Sequence, residues 1–263
     1  MKNAHVENIP VIANEEVADQ IYWMKLQSSY LAKETKPGQF VNILADSGNQ
    51  ILWRRPFSVA RITDDLIEII YKVVGPGTRF MSQLEPGDSA NLLGPLGNAF
   101  TLDFEPDTVP LLIGGGLGFA PLVILRDYFV AHGKKPALFM GAPTATEHYY
   151  QRDEFADLHL SSDDGTKGYH GFITEYFKEY LLANDRNTKY RAYSCGPEPM
   201  MVRVAHICRE FGIPMELSIE REMACGIGFC QGCVIELVPP AKKYALVCKD
   251  GPIFDADLLR ITE

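Results

Sequence analysis

The sequence has no excess of basic residues, no apolar run long enough to cross a bilayer, and no internal repeat or low-complexity tract. Lys and Arg number 25 against 34 Asp and Glu, a formal net charge of -9. Binding to a nucleic-acid backbone rests on clustered cations that release counterions, and no basic run is present, so no nucleic-acid partner is expected. The longest uncharged stretch, Val109 to Leu125, is interrupted by Gly114, Gly115, Gly116, Gly118 and Pro121. It falls short of the roughly 20 apolar residues of a membrane helix and reads as a buried strand and loop, with no membrane partner. The segment Met1-Lys2-Asn3-Ala4-His5-Val6-Glu7 lacks the apolar centre of a signal peptide, so a cytoplasmic location is expected. Cysteines are few: the six present, without an export signal, are expected to be ligands or buried thiols rather than disulfides.

What is present is globular. At 263 residues, 46% apolar and 22% charged, the chain is long enough for two domains and a short appendage. Residues 1–105 carry β-rich runs at Ile21 to Leu26, Gln39 to Leu44, Phe57 to Ile62 and Leu66 to Val74. Pro37-Gly38, Asp64-Asp65, Gly75-Pro76-Gly77 and Pro86-Gly87-Asp88 fall between them as turn signals, the cadence of a small antiparallel barrel or sandwich. Across 106–217 the pattern changes to short apolar strands alternating with helices: Val109 to Ile113, a helix from Ala120, Pro136 to Met140, a helix near Phe172 to Leu182, Arg191 to Ser194, and a helix from Glu198. That alternation predicts a parallel α/β sheet, with Glu105-Pro106-Asp107 as the hinge. Residues 218–263 open on the end of a strand, Pro214 to Ile219, and continue as a cysteine- and glycine-rich tail that is not expected to form a core without a ligand.

Four of the cysteines lie in that tail as Cys225-x4-Cys230-x2-Cys233, with Cys248 fourteen residues further on. This is the plant-type 2Fe-2S ferredoxin spacing. Three thiolates within nine residues must wrap a compact cluster, and Gly226, Gly228 and Gly232 let the backbone turn its N–H groups toward sulfur. Structural zinc is the alternative, although it favours two pairs of cysteines over a three-and-one division. Cys208, on a helix face, reads as a buried apolar thiol.

Leu111-Leu112-Ile113-Gly114-Gly115-Gly116-Leu117-Gly118-Phe119-Ala120-Pro121 reads as a strand, a glycine turn and a helix start. Such a turn lets a pyrophosphate approach the backbone at a helix N-terminus. It departs from G-x-G-x-x-G, so a plain tight turn stays open, but its place at the first strand-to-helix turn of an α/β unit favours a nucleotide.

Arg55-Pro56-Phe57-Ser58 resembles the R-x-Y-S flavin motif of ferredoxin-NADP reductase-like proteins, and Lys72-Val73-Val74 through Gly77-Thr78 resembles their flavin-pyrophosphate segment. Gly114 to Pro121 and Cys195-Gly196-Pro197 resemble their pyridine-nucleotide motifs. Met223-Ala224-Cys225-Gly226-Ile227-Gly228, the further cysteines and the doubled Arg54-Arg55 look most like the electron-transfer subunits of class 1B dihydroorotate dehydrogenases. The resemblance implies an α+β multidomain fold: an FAD-binding antiparallel β-barrel (1–105), an NAD-binding α/β parallel-sheet domain (106–217) and a 2Fe-2S tail (218–263). It also implies an FMN-bearing catalytic partner subunit that oxidises dihydroorotate in pyrimidine biosynthesis, two of each chain in the assembly.

On that resemblance, Arg55 pairs with a flavin phosphate, Phe57 packs against the isoalloxazine, Ser58 reaches its redox edge, and Gly77 and Thr78 donate to the pyrophosphate. Cys195-Gly196-Pro197 marks the docking place of the nicotinamide. Acidic Asp163 and Asp164 after a later strand would repel a 2′-phosphate, which predicts NAD over NADP. Nicotinamides exchange electrons in pairs and a 2Fe-2S centre takes them singly, so a flavin that does both explains the combination. No general base and no dihydroorotate site are expected in this chain. Rival readings are a related flavin/iron-sulfur subunit of an NADH-dependent ferredoxin:NADP oxidoreductase or sulfide dehydrogenase, a non-catalytic redox sensor, and a zinc-stapled structural subunit.

Overall fold

The computed structural model describes residues 4–45, 52–150, 158–185 and 187–260. The first six strands are β1 (His5–Ala18), β2 (Ile21–Gln27), β3 (Phe40–Leu44), β4 (Arg55–Thr63), β5 (Leu66–Lys72) and β6 (Ser89–Leu96). They close an antiparallel barrel in the order β1-β2-β5-β4-β3-β6. Alternate side chains point inward, and Ile9, Val11, Met24, Leu26, Val41, Ile43, Val59, Ile67, Ile69 and Leu92 form its core. Four of the six strands match the sequence reading. The two that complete the closure, β1 and β6, do not stand out in sequence: β1 mixes apolar and polar residues without strict alternation and buries only Ile9 and Val11, and β6 carries Gly94-Pro95, which reads as a breaker. Two short helices complete this region, α1 (Ser29–Glu34) and α2 (Pro76–Met81). Gly75-Pro76-Gly77, expected as a turn between strands, instead starts α2, with Gly75 at the N-cap and Pro76 in its first turn, where its missing N–H costs nothing.

The second region runs β7 (Val109–Gly115), α3 (Ala120–Ala131), β8 (Ala137–Ala142), β9 (Leu158–Ser162), β10 (Tyr169–His170), α4 (Ile173–Ala183), β11 (Tyr190–Cys195), α5 (Glu198–Glu210) and β12 (Met215–Ser218). The tail adds β13 (Val234–Glu236), β14 (Tyr244–Leu246), α6 (Val247–Asp250) and β15 (Ile253–Asp255). The sheet order is β10-β9-β8-β7-β11-β12-β15, seven strands, parallel except for β15, which runs antiparallel to β12. Helices α4 and α5 cover one face, with Phe177, Leu181, Val204 and Ile207 on Leu111, Phe139 and Ala192.

Helix α3 covers the other face and is wedged against the barrel: Leu122, Val123 and Phe129 meet the sheet, while Ile124 joins the barrel core. A helix buried on both sides must be apolar nearly all round, and α3 is. Arg61 of β4 pairs with Asp127 of α3 at 2.9 Å. The expected hinge is clamped: Lys134 donates to the Glu105 and Pro106 carbonyls at 3.0 and 3.1 Å, and Lys189 pairs with Glu105 and Asp107.

The tail departs from expectation. It contributes Ile235, Leu237, Ala245, Val247, Phe254 and Leu259 to the core shared with α4 and α5, and β15 extends the sheet. These apolar positions are spread thinly among polar ones, so no single run announces them.

Candidate cofactor sites

Two large cavities lie at opposite ends of the sheet. One of ≈ 880 Å³ sits at the amino ends of the strands, among Thr108, Lys189, Arg191 and Pro214. The other, of ≈ 610 Å³, sits at the carboxyl ends and against the barrel. Ligands of parallel α/β sheets bind beyond the carboxyl ends, and only the second cavity gathers residues with redox-cofactor character. Its walls include Arg55, Pro56, Phe57 and Ser58 of β4, Lys72, Val74, Gly77 and Thr78, Leu117 and Ala120 of the glycine turn, and Ser218 to Met223.

The wall is firm. Phe57 packs edge-on to Tyr71 at 5.9 Å, and the Tyr71 hydroxyl donates to Asn14 at 2.9 Å. Arg55 is exposed, its guanidinium donating to the Trp53 carbonyl at 2.9 Å, while Arg54 turns away to donate to the Asn91 carbonyl at 3.0 Å. Val73, in the same sequence motif, does not face the cavity but packs on the barrel core. Lys72 reaches Glu147 of the sheet domain at 2.8 Å, so it meets a phosphate only by sharing or leaving that carboxylate. The Thr78 hydroxyl accepts from the Val74 and Gly75 N–H groups at 2.9 and 3.2 Å. Its oxygen is thus engaged in capping α2, which leaves backbone N–H groups as the free donors of this turn.

The two pyridine-nucleotide motifs meet backbone to backbone. A Cβ on Gly118 would fall 2.4 Å from Gly196 Cα and 2.5 Å from the Cys195 carbonyl, and one on Gly115 2.8 Å from Pro197 Cδ. Gly116 has φ +51 with open space beside it. The glycines therefore serve two ends: three allow close packing, as Gly114 lies under Phe119, and one provides the left-handed turn. Tyr149, distant in sequence, donates its hydroxyl to the Gly116 carbonyl at 3.0 Å.

Glu220 was not anticipated. It follows the carboxyl end of β12, on the cavity wall, and Cys195 Sγ lies 3.8 Å from its Oε1. Its carboxylate opens to the cavity but is crowded by protein on its other sides, and this desolvation raises its pKa above the usual carboxylate value, opposed only by the Cys195 hydrogen bond. The Cys195 thiol is 1% exposed; burial, then the neighbouring Glu220 charge, push it well above the ordinary thiol range. It is a neutral donor, not a nucleophile. The other isolated thiol, Cys208, is held in the core and pushed up to about 12 by burial.

The remaining cysteines lie in the lobe made by the 225–233 loop, β13, β14 and α6. Cys233 and Cys248 are buried with their sulfurs 3.2 Å apart, Cys225 is half-buried and Cys230 exposed. Backbone N–H groups point at sulfur: Gly228 to Cys248 at 3.1 Å, Cys230 to Cys225 at 3.3 Å and Cys248 to Cys233 at 3.4 Å. Gly226, Gly228 and Gln231 carry positive φ of 68, 79 and 63, the bends that aim those donors. At Cys225 partial burial, which raises the pKa, is outweighed by the N–H groups of Cys230, Ile227 and Phe229, and the thiol is lowered to about 7. Amides aimed at sulfur fit thiolate ligands of a cluster. Among the described residues no three metal-ligating side chains converge on one point. A dinuclear cluster takes two thiolates at each iron, whereas structural zinc needs four ligands around one ion.

Asp163 and Asp164 follow β9. Asp164 accepts from the Thr166 N–H at 3.0 Å and from its hydroxyl at 2.6 Å, and Asp163 is crowded enough to be raised, first by burial and then by Asp164. No helix among the described residues is long and apolar enough to cross a membrane.

Comparison with known proteins agrees with this layout. Residues 220–260 match the family described as iron-sulfur cluster binding domain of dihydroorotate dehydrogenase B, and residues 112–206 match the oxidoreductase NAD-binding domain. The chain is 35% identical to the dihydroorotate dehydrogenase B (NAD(+)) electron transfer subunit of Fusobacterium nucleatum, covering 97% of this chain and 99% of that protein. It is 34% identical to the same subunit of Geobacillus kaustophilus, covering 95% and 96%, and 35% identical to that of Bacillus velezensis, covering 98% of each. Among solved structures, an NADH-dependent reduced ferredoxin-NADP oxidoreductase superposes with TM-score 0.83 at 27% identity, covering 96% of this chain and 90% of that one. A ferredoxin NADP+ reductase of Neisseria gonorrhoeae with bound FAD and NADP shares the fold, with TM-score 0.66 at 18% identity, covering 81% and 99%. With relatives this similar over almost their whole length, the chain belongs to the family of dihydroorotate dehydrogenase B (NAD(+)) electron transfer subunits.

Proposed function

We propose that this chain is the electron-transfer subunit of an NAD-dependent dihydroorotate dehydrogenase in pyrimidine biosynthesis, joining FAD, a 2Fe-2S cluster and NAD to the FMN of a catalytic partner subunit, two of each chain in a cytoplasmic assembly. The observation that carries the reading is the convergence on one cavity of the β4 motif, the glycine turn and the Ser218 to Met223 segment, which leads within two residues to Cys225. FAD supplies the exchange between paired and single electrons. The chain's own residues bind and orient.

In this reading residues 1–105 hold FAD, with Arg55, Pro56, Phe57 and Ser58 along the ring and phosphate, and Lys72, Val73, Val74, Gly77 and Thr78 shaping the pyrophosphate turn. Residues 106–217 hold NAD at Gly114, Gly115, Gly116, Gly118, Cys195, Gly196 and Pro197, with Asp163 and Asp164 disfavouring a 2′-phosphate. Residues 218–263 hold the cluster through Cys225, Cys230, Cys233 and Cys248. The Cys195 S–H meets the Glu220 carboxylate at the cavity wall. The partner docks over the outward cysteine pair, beside Phe229 and Ile227, which are 86% and 41% exposed.

The test is purification followed by assay. The chain should show flavin and iron-sulfur absorbance, oxidise NADH with artificial acceptors, and oxidise dihydroorotate only when the FMN subunit is added. Robust dihydroorotate oxidation by the isolated chain would overturn the reading. The likeness at TM-score 0.83 to an NADH-dependent ferredoxin-NADP oxidoreductase favours one alternative, a subunit of such an enzyme. Turnover with ferredoxin and NADP in place of dihydroorotate would establish it.

A further inference from the structure

One side chain connects the flavin cavity to the cluster loop, and neither motif contains it. On β3, Val41 and Ile43 point into the barrel core, so Phe40 and Asn42 share the outer face. Phe40 lines the cavity. Asn42 stands about 7 Å further along the strand, pairs across to Pro56 of the flavin motif, and is 0% exposed. Its Nδ2 donates to the Cys225 carbonyl at 3.5 Å. A Cβ on Gly226 would fall 1.9 Å from that same Nδ2, so the cluster loop lies directly on the carboxamide. From the other side Arg54 braces the Asn42 carbonyl at 3.4 Å.

Stability does not account for an asparagine here. Its Oδ1 is buried without a hydrogen-bond partner, and a buried unpaired acceptor is destabilising where an apolar side chain of the same shape is not. We infer that Asn42 is a positioning residue that seats the Cys225–Gly226 peptide on the outer face of β3 and so sets the flavin-to-cluster geometry for electron transfer. The inference rests on the function proposed above.

The test uses the full chain with FAD and cluster, in the variants Asn42→Leu, which removes the carboxamide, and Asn42→Asp, which keeps its shape but cannot donate to the Cys225 carbonyl. Both should retain FAD, iron and sulfide, and NADH-to-dye turnover, which does not need the cluster. In both, the rate at which NADH reduces the cluster in stopped flow should fall on the order of tenfold or more, the scale on which misplaced reacting groups lose rate. The electron paramagnetic resonance line shape of the reduced cluster should change, and amide hydrogen exchange across 225–228 should accelerate. Wild-type cluster reduction in either variant overturns the inference, as does loss of iron in both with flavin and fold intact, which would make Asn42 a folding residue only. Absence of flavin or iron-sulfur from the wild-type chain would instead overturn the functional reading beneath it.

Discussion

The barrel and the cysteine lobe hold their sites in opposite ways. The barrel is closed, so every strand has two neighbours, and its cavity wall stands on side chains packed from both sides, such as Phe57 on Tyr71. The lobe has one two-stranded pair, β13 and β14, a helix of a single turn and a loop with three positive φ angles. A handful of apolar anchors, among them Ile235, Val247 and Leu259, and the N–H groups aimed at sulfur hold it to the sheet. A site of the first kind keeps its shape when the ligand leaves. A site of the second kind depends on the bonds its ligand makes.

The most severe way to break that contrast is Cys248→Ser, at the most buried of the four tail cysteines, 1% exposed. Iron and acid-labile sulfide should be lost almost completely, amide exchange across the lobe should rise, and dihydroorotate oxidation with the partner should vanish, while NADH-to-dye turnover persists. Equal loss of both activities would show that barrel and lobe fold as one unit. Phe119→Ala tests the packed side. Phe119 is fully buried, packed on Gly114 and against Tyr150 at 5.5 Å, and its truncation should cost about 3–5 kcal/mol, read by urea denaturation, with the cluster signal of the surviving folded protein unchanged.

Gly118→Ala forces a methyl into the Cys195 carbonyl and Gly196, and a displacement near 1 Å there should weaken NADH turnover by about 100-fold, chiefly through KM, with flavin content retained. Glu220→Gln has the smallest effect. The Glu220 carboxyl is raised in the folded chain, so its contribution to stability is full below the ordinary carboxylate pKa and is lost as pH rises through the raised value. The glutamine variant should therefore gain stability relative to the parent as pH rises above the ordinary carboxylate pKa, in parallel denaturation curves. An unchanged difference over that rise would mean that the carboxylate is better solvated than its surroundings imply.

Parts of the fold were legible from local pattern. Strands β2, β3, β4 and β5 and the helices α3 and α5 follow from apolar patterning, with Pro121 near the start of α3. The barrel-closing strands were not legible, because β1 buries little of its length and β6 contains Gly94 and Pro95. Glu220, Tyr149 and Asn42 were not legible either. Each acts on a group that only folding brings near: Glu220 on Cys195, Tyr149 on Gly116, Asn42 on Cys225.

The cysteine spacing and the glycine turn were decided by the chain alone, because ligands within nine residues and a strand-turn-helix are matters of local reach and backbone freedom. Where the cluster loop rests was decided by tertiary structure. Asn42 and Cys225 are 183 positions apart, and β15 joins the sheet beside β12 from beyond the last cysteine. Contacts at such separations are set by which surfaces can be buried together, and no local pattern in the chain encodes that.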